Sequence, residues 1–133
     1  MQKINYNELN GRQQEIYNFQ KLSAILAEYG FQTIQLSDDW QGADFIALHF
    51  DKSKFLKIQL KGRLTFDKKY LEKDIKICFQ YKGFWYLYDH DELLKLFISE
   101  FNLGNTTSWN EGGNYNIGSP SQKQLMLLEK YRL

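Results

Sequence analysis

Residues 55–61 read Phe-Leu-Lys-Ile-Gln-Leu-Lys. Leu56, Ile58 and Leu60 fall on one parity, and Lys57, Gln59 and Lys61 on the other. Strict alternation of period two predicts a strand with one apolar face. Residues 75–81 repeat the pattern, with Ile75, Ile77, Phe79 and Tyr81 against Lys76, Cys78 and Gln80. Two such strands need a sheet and something apolar to cover it. The rest of the chain supplies both.

Asn10 and Gln13 form a capping-box pair ahead of an amphipathic stretch. Glu15, Phe19, Leu22, Leu26 and Tyr29 share one helical face, and Gly30 is a left-handed stop. A helix is expected from about Gly11 to Tyr29. Phe31 to Leu36 reads as a strand, Ser37 to Gly42 as a loop, and Ala43 to Phe50 as a central strand, apolar on both faces apart from Asp44 and His49. Asp51 to Lys54 is a polar turn, and Gly62 ends the strand at 55–61. Leu64 to Lys73 reads as a charged connection with a short helical turn. Lys82-Gly83 is a hairpin turn into Phe84 to Tyr88. Asp89 and Glu92 cap a helix running through Leu94, Phe97, Ile98 and Phe101. Residues 102–118 read as a long loop, with Trp109 as a lid over the core. Ser119 and Gln122 form a second capping box, with Pro120 at the first helical position, and a last helix to about Tyr131. The reading is a mixed α/β fold in one domain, residues 1–133.

Composition narrows the class. With 43% hydrophobic and 17% aromatic residues, the 133-residue chain has material for a core without metal or disulfide staples. One cysteine, Cys78, excludes an internal disulfide and a cysteine-rich zinc site. The two histidines are too few for a histidine-built metal centre. No apolar run is long enough to span a bilayer, and the N-terminus has no secretory h-region, so a cytoplasmic chain is expected. The net charge is +1, but residues 52–82 carry ten basic and three acidic side chains, while both flanks are acidic. A basic stripe of this kind fits either a polyanion partner or a solvated lysine-rich surface.

Four residues carry chemistry. If residues 43–50 and 55–61 form a hairpin closed by Asp51 to Lys54, Phe50 faces Phe55, Ile46 faces Gln59, and Asp44 faces Lys61 on one side of the sheet. Glu15 falls on the apolar stripe of the first helix, where a carboxylate is costly unless it meets a cation or stays wet near the helix start.

This constellation resembles the PD-(D/E)XK nuclease superfamily over residues 10–63. An acid lies on the helix (Glu15), an acid at the start of one strand in Gly42-Ala43-Asp44, and a Q-x-K on the next in Gln59-Leu60-Lys61. The likeness is to the small branch of homing endonucleases and Holliday-junction resolvases. It implies a restriction-endonuclease-like core, a helix then a three-stranded meander, with an added hairpin and C-terminal helices around a mixed sheet. It also implies an endodeoxyribonuclease dependent on Mg²⁺, with Mn²⁺ as a substitute. The metal would be held by Glu15, Asp44, the Gln59 amide oxygen and the Leu60 carbonyl, with Lys61 orienting the water. DNA, duplex or branched, is the implied partner, and the chain is expected to act as a homodimer. Arg63, Lys68, Lys69, Lys73 and Lys76 follow the motif and are expected to track phosphates. Two alternatives stay open: neutral Gln59 favours a nuclease fold that binds nucleic acid without cutting, and the lysine stripe fits an interaction protein that meets an acidic protein partner.

Overall fold

The computed structural model describes all 133 residues, Met1–Leu133. The first helix, α1, spans Gly11–Glu28 and is capped as the sequence predicts: Asn10 Oδ1 accepts from Gln13 N–H, and the Gln13 side chain returns the bond. Only the middle of the expected stripe is buried. Leu22 and Leu26 are inside and Phe19 is half-buried, whereas Glu15 and Tyr29 are exposed. A short 3₁₀ turn, Tyr6–Glu8, precedes α1.

Five strands build the main sheet in the order β1-β2-β3-β5-β6. They span Phe31–Trp40 (β1), Ala43–His49 (β2), Phe55–Lys61 (β3), Ile75–Tyr81 (β5) and Phe84–Asp89 (β6). All pairs are antiparallel except β3–β5. The first strand runs four residues beyond the expected Leu36, because Gln41 and Gly42, both at positive φ, close a tight turn and carry the chain straight into β2. Its pairing is irregular between Gln35 and Trp40.

The β2–β3 register is two residues away from the expected one. Leu48, not Phe50, faces Phe55, and Ile46 faces Lys57. Phe50 instead donates its N–H to Gly30 O, while His49 N–H goes to Lys54 O, so the loop is longer than four residues. A shift by two preserves which face each side chain occupies. Asp44 and Lys61 therefore remain on one side of the sheet, no longer directly opposed.

Each face of the sheet carries its own core. Leu22 and Leu26 of α1 pack against Phe45, Ala47, Ile58, Cys78 and Trp85 on one face. On the other, Ile75, Ile77, Phe79, Tyr86 and Tyr88 pack against Leu93, Leu94 and Phe97. These last three belong to α2, His90–Phe101, capped by Asp89 as expected. Leu64 to Lys73 is not only a charged connection: β4, Leu64–Asp67, is buried and leads into a 3₁₀ turn, Lys68–Tyr70. Residues 102–118 are not a plain loop either. They hold a π-helical turn, Ser108–Gly112, and β7, Asn114–Ile117, which pairs with β4 in a second, two-stranded sheet. Trp109 is 6% exposed and closes the core as expected. The last helix, α3, spans Gln122–Leu128, and its capping box is Ser121 with Gln124, two residues later than Ser119 with Gln122. No helix is long and apolar enough to cross a membrane.

Candidate metal and phosphate site

The ladder between β2 and β3 ends at Phe45–Ile58. Just past it, a side chain takes over from the backbone: Asp44 Oδ2 accepts the Leu60 N–H at 3.0 Å. This bond locks the carboxylate against β3. Burial pushes the Asp44 pKa up, and the nearby Asp39 carboxylate adds to that. The Leu60 N–H and the Lys61 ammonium oppose it, as does the Gln59 side chain.

Gln59 is 8% exposed, and its Oε1 is a buried acceptor with no hydrogen-bond donor. Leaving a buried polar atom unpaired costs about 1–3 kcal/mol. On the adjoining β5 strand it is matched by apolar Ile77, which offers no side-chain donor.

Lys61, the last residue of β3, is half-buried. Its Nζ lies 5.6 Å from the centre of the Tyr70 ring, and it is in no ion pair. Burial pulls its pKa down, and the neighbouring Lys69 pulls the same way, against Asp44, Asp67 and Asp39. Lys69 Nζ is 5.1 Å from the same ring. No periodic pattern in the sequence marks Tyr70. It is 2% exposed, is stacked under two ammonium groups, and lies against Gly42, where an added Cβ would come within 3.2 Å of the ring. Its only sequence signal is an aromatic after Lys68-Lys69.

Asp44, Gln59 and Lys61 open into a cleft of about 450 Å³, whose walls also include Glu15, Asp38 and Asp39. Glu15 reaches the cleft from α1, but it is not the inward-facing group that the helical stripe predicted. Its side chain is 67% exposed and its Oε2 meets Arg12 at 3.2 Å. Near the start of α1, it stays wet. Asp39 does turn chemistry, its Oδ1 accepting the Gly42 N–H at 2.7 Å. No trio of His, Cys, Asp or Glu side chains comes together as a ligand cluster. Mg²⁺ needs few protein ligands, commonly one or two carboxylates with several waters. The Gln59 amide and the Asp44 carboxylate line one cleft, and an amide oxygen with a carboxylate is a donor set of that kind, so these residue types fit a hard divalent cation.

The basic residues divide. Arg63, Lys68, Lys69 and Lys73 are exposed. Lys68 lies 5.3 Å from the centre of the Trp109 ring, and Lys69 reaches Asp67 at 3.9 Å. Lys76 is otherwise engaged: it holds Asp89 at 2.6 Å and Asp74 at 3.5 Å, on the face of the sheet that α1 covers in part. It serves the fold, contrary to the expectation that it tracks phosphates.

No protein-family model matches the chain, and no curated protein matches its sequence. Among solved structures, the chain is similar to Hjc, a Holliday junction resolvase from Archaeoglobus fulgidus, at 16% identity and a TM-score of 0.44, over 53% of this chain and 74% of that one. It is also similar to the bacterial homing endonuclease I-Ssp6803I, at 11% identity and a TM-score of 0.40, over 86% of this chain and 89% of that one.

Proposed function

We propose that the protein is a metal-dependent endonuclease that hydrolyses phosphodiester bonds of DNA in the cleft at Asp44, Gln59 and Lys61. The observation that carries this reading is the buried Gln59, whose Oε1 meets no donor, in one cleft with Asp44, whose carboxylate is locked on Leu60 N–H. Asp44 and Gln59 would hold Mg²⁺ or Mn²⁺, with the Leu60 carbonyl and Glu15 as the further oxygens on the cleft wall. Such a cation, when bound, supplies positive charge at the phosphate and makes water a better nucleophile.

The chain's own residues do the rest. Asp44 presents a fixed carboxylate, because Leu60 N–H holds one oxygen and leaves the other for the cleft. Lys61 keeps its charge free of any ion pair and offers it to phosphoryl oxygens as their charge grows in the transition state. Tyr70 braces the lysine from beneath. Arg63, Lys68, Lys69 and Lys73 line up phosphates of the flanking chain. One cleft cuts one strand, so cleavage of both strands calls for a homodimer.

The test is plasmid nicking. Wild-type protein should nick DNA in Mg²⁺ or Mn²⁺ and stop in EDTA. Asp44→Asn and Lys61→Ala should each lower nicking by about 10²-fold or more while leaving the fold intact. Neutral Gln59 and a Glu15 turned to Arg12 favour a second reading, a domain that binds nucleic acid without cutting it. Binding with no cleavage of duplex, branched or single-stranded DNA in either metal would select that reading.

A further inference from the structure

A second groove of about 560 Å³ adjoins the cleft and shares Lys61 with it. The two differ in charge. The cleft is walled by four carboxylates, Glu15, Asp38, Asp39 and Asp44. The groove has none: it is lined by Tyr6, Tyr17, Lys21, Gln80 and Trp85 together with Lys61. An acidic site that is to hold a cation thus opens onto a cationic, aromatic trough.

Tyr6 stands on the rim of both. It is held by one aromatic contact and by polar bonds. The Tyr6–Glu8 turn buries no residue, and everything before it is exposed. Polar bonds anchor the turn. Asn5 and Glu8 cap each other, Asn18 Nδ2 donates to Tyr6 Oη at 2.8 Å, and Gln14 Nε2 donates to the Tyr6 carbonyl at 3.4 Å. The Tyr6 ring meets Tyr17 edge to face at 5.3 Å and is still 36% exposed. Lys21 Nζ lies 5.4 Å from the centre of the Tyr17 ring. Gly62, which lines the groove beside Lys61, leaves open space where a Cβ would stand.

We propose, resting on the nuclease reading above, that this groove binds an unpaired nucleotide next to the phosphate in the cleft. Its base stacks on the Tyr6 ring, and Lys21 and Lys61 meet its phosphates. Aromatic rings bind bases through their faces, whatever the sequence, and lysines track the backbone. A base inside an intact duplex shows only its edges. The substrate class is therefore DNA with single-stranded or splayed positions, such as a branch or a free end, in preference to continuous duplex.

The experiment is fluorescence anisotropy in EDTA with a short labelled oligothymidine and, separately, a labelled duplex of the same length. Tyr6→Ala should weaken single-strand binding about tenfold and change duplex binding by less than about twofold. Tyr6→Phe, which keeps the ring and loses the Asn18 bond, should stay close to wild type. Equal losses on both probes, or no loss on either, overturn the proposal. If wild-type protein nicks DNA in Mg²⁺ while Tyr6→Ala binds the single strand normally, the groove fails and the nuclease stands. A selective Tyr6→Ala loss in a protein that never cuts supports the groove and overturns the nuclease. Absence of binding to either probe overturns both.

Discussion

Asp44 and Lys61 are both held in places that disfavour their charges. Asp44 has a pKa above its ordinary 3.8 in the folded chain, chiefly through burial. The native state then keeps the proton more tightly than the unfolded state. Stability falls as pH rises through that interval, and the full penalty is present at neutral pH. Asp44→Asn removes it while keeping an acceptor for Leu60 N–H. The variant should melt above wild type at pH 7 in EDTA, and the difference should vanish below about pH 3.8. Thermal melts across this range check it. Lys61 has the opposite shift and the same consequence: its folded pKa lies below 10.5 through burial, so its penalty is full at neutral pH and lost above 10.5. Charged groups held in a cleft against the cost of burial mark it as a candidate site for chemistry.

The segment from Leu64 to Lys76 shows how elements sort residues that look alike in sequence. Arg63, Lys68, Lys69, Lys73 and Lys76 are five similar cations in a row of fourteen residues. Folding β4 and its 3₁₀ turn leaves Lys68 and Lys69 exposed, whereas β5 aims Lys76 at Asp89, its register partner on β6. Alternation on β5 places Lys76 on a face, but which acid waits there depends on the β5–β6 register. The same segment hides Tyr70, and β7 was illegible for a related reason. Asn-Tyr-Asn-Ile is short and polar, and its partner β4 lies about fifty residues upstream. Replacing Lys68 and Lys69 together by Ala should lower the slope of log affinity against log salt by about 2 on duplex DNA. Lys76→Ala should leave that slope alone and cost on the order of 1–3 kcal/mol of stability, since it strands Asp89. Salt titrations and denaturant melts separate the two.

At the scale of the molecule, the sheet and the three helices were legible, because periodicity and caps are local signals. The α1 cap at Asn10, strands β3 and β5 and the Lys82-Gly83 hairpin all stand, but burial does not alternate along β3 or β5, because both faces of the sheet are covered. The site was legible in part. Asp44, Gln59 and Lys61 share a cleft although the β2–β3 register differs by two, since an even shift keeps the face. Helical spacing puts Glu15 on the stripe, but the stripe is covered only from Phe19 to Leu26, and the start of α1 is wet. The contributions of Tyr70 and Tyr6 depend on tertiary packing and on an N-terminal turn held by polar bonds, and neither has a periodic signature.

The central claim is that Gln59 holds a divalent cation together with Asp44, and one titration tests it most directly. Plasmid nicking is followed against Mg²⁺ concentration for wild type, Gln59→Glu and Gln59→Leu. Gln59→Glu keeps the shape and adds a carboxylate, so the Mg²⁺ concentration for half-maximal nicking should fall; without metal the crowded acids should lower the melting temperature. Gln59→Leu removes the oxygen and should raise the Mg²⁺ requirement about tenfold or abolish nicking. Three superimposable Mg²⁺ curves would contradict the account, because the orphaned amide oxygen would then hold nothing.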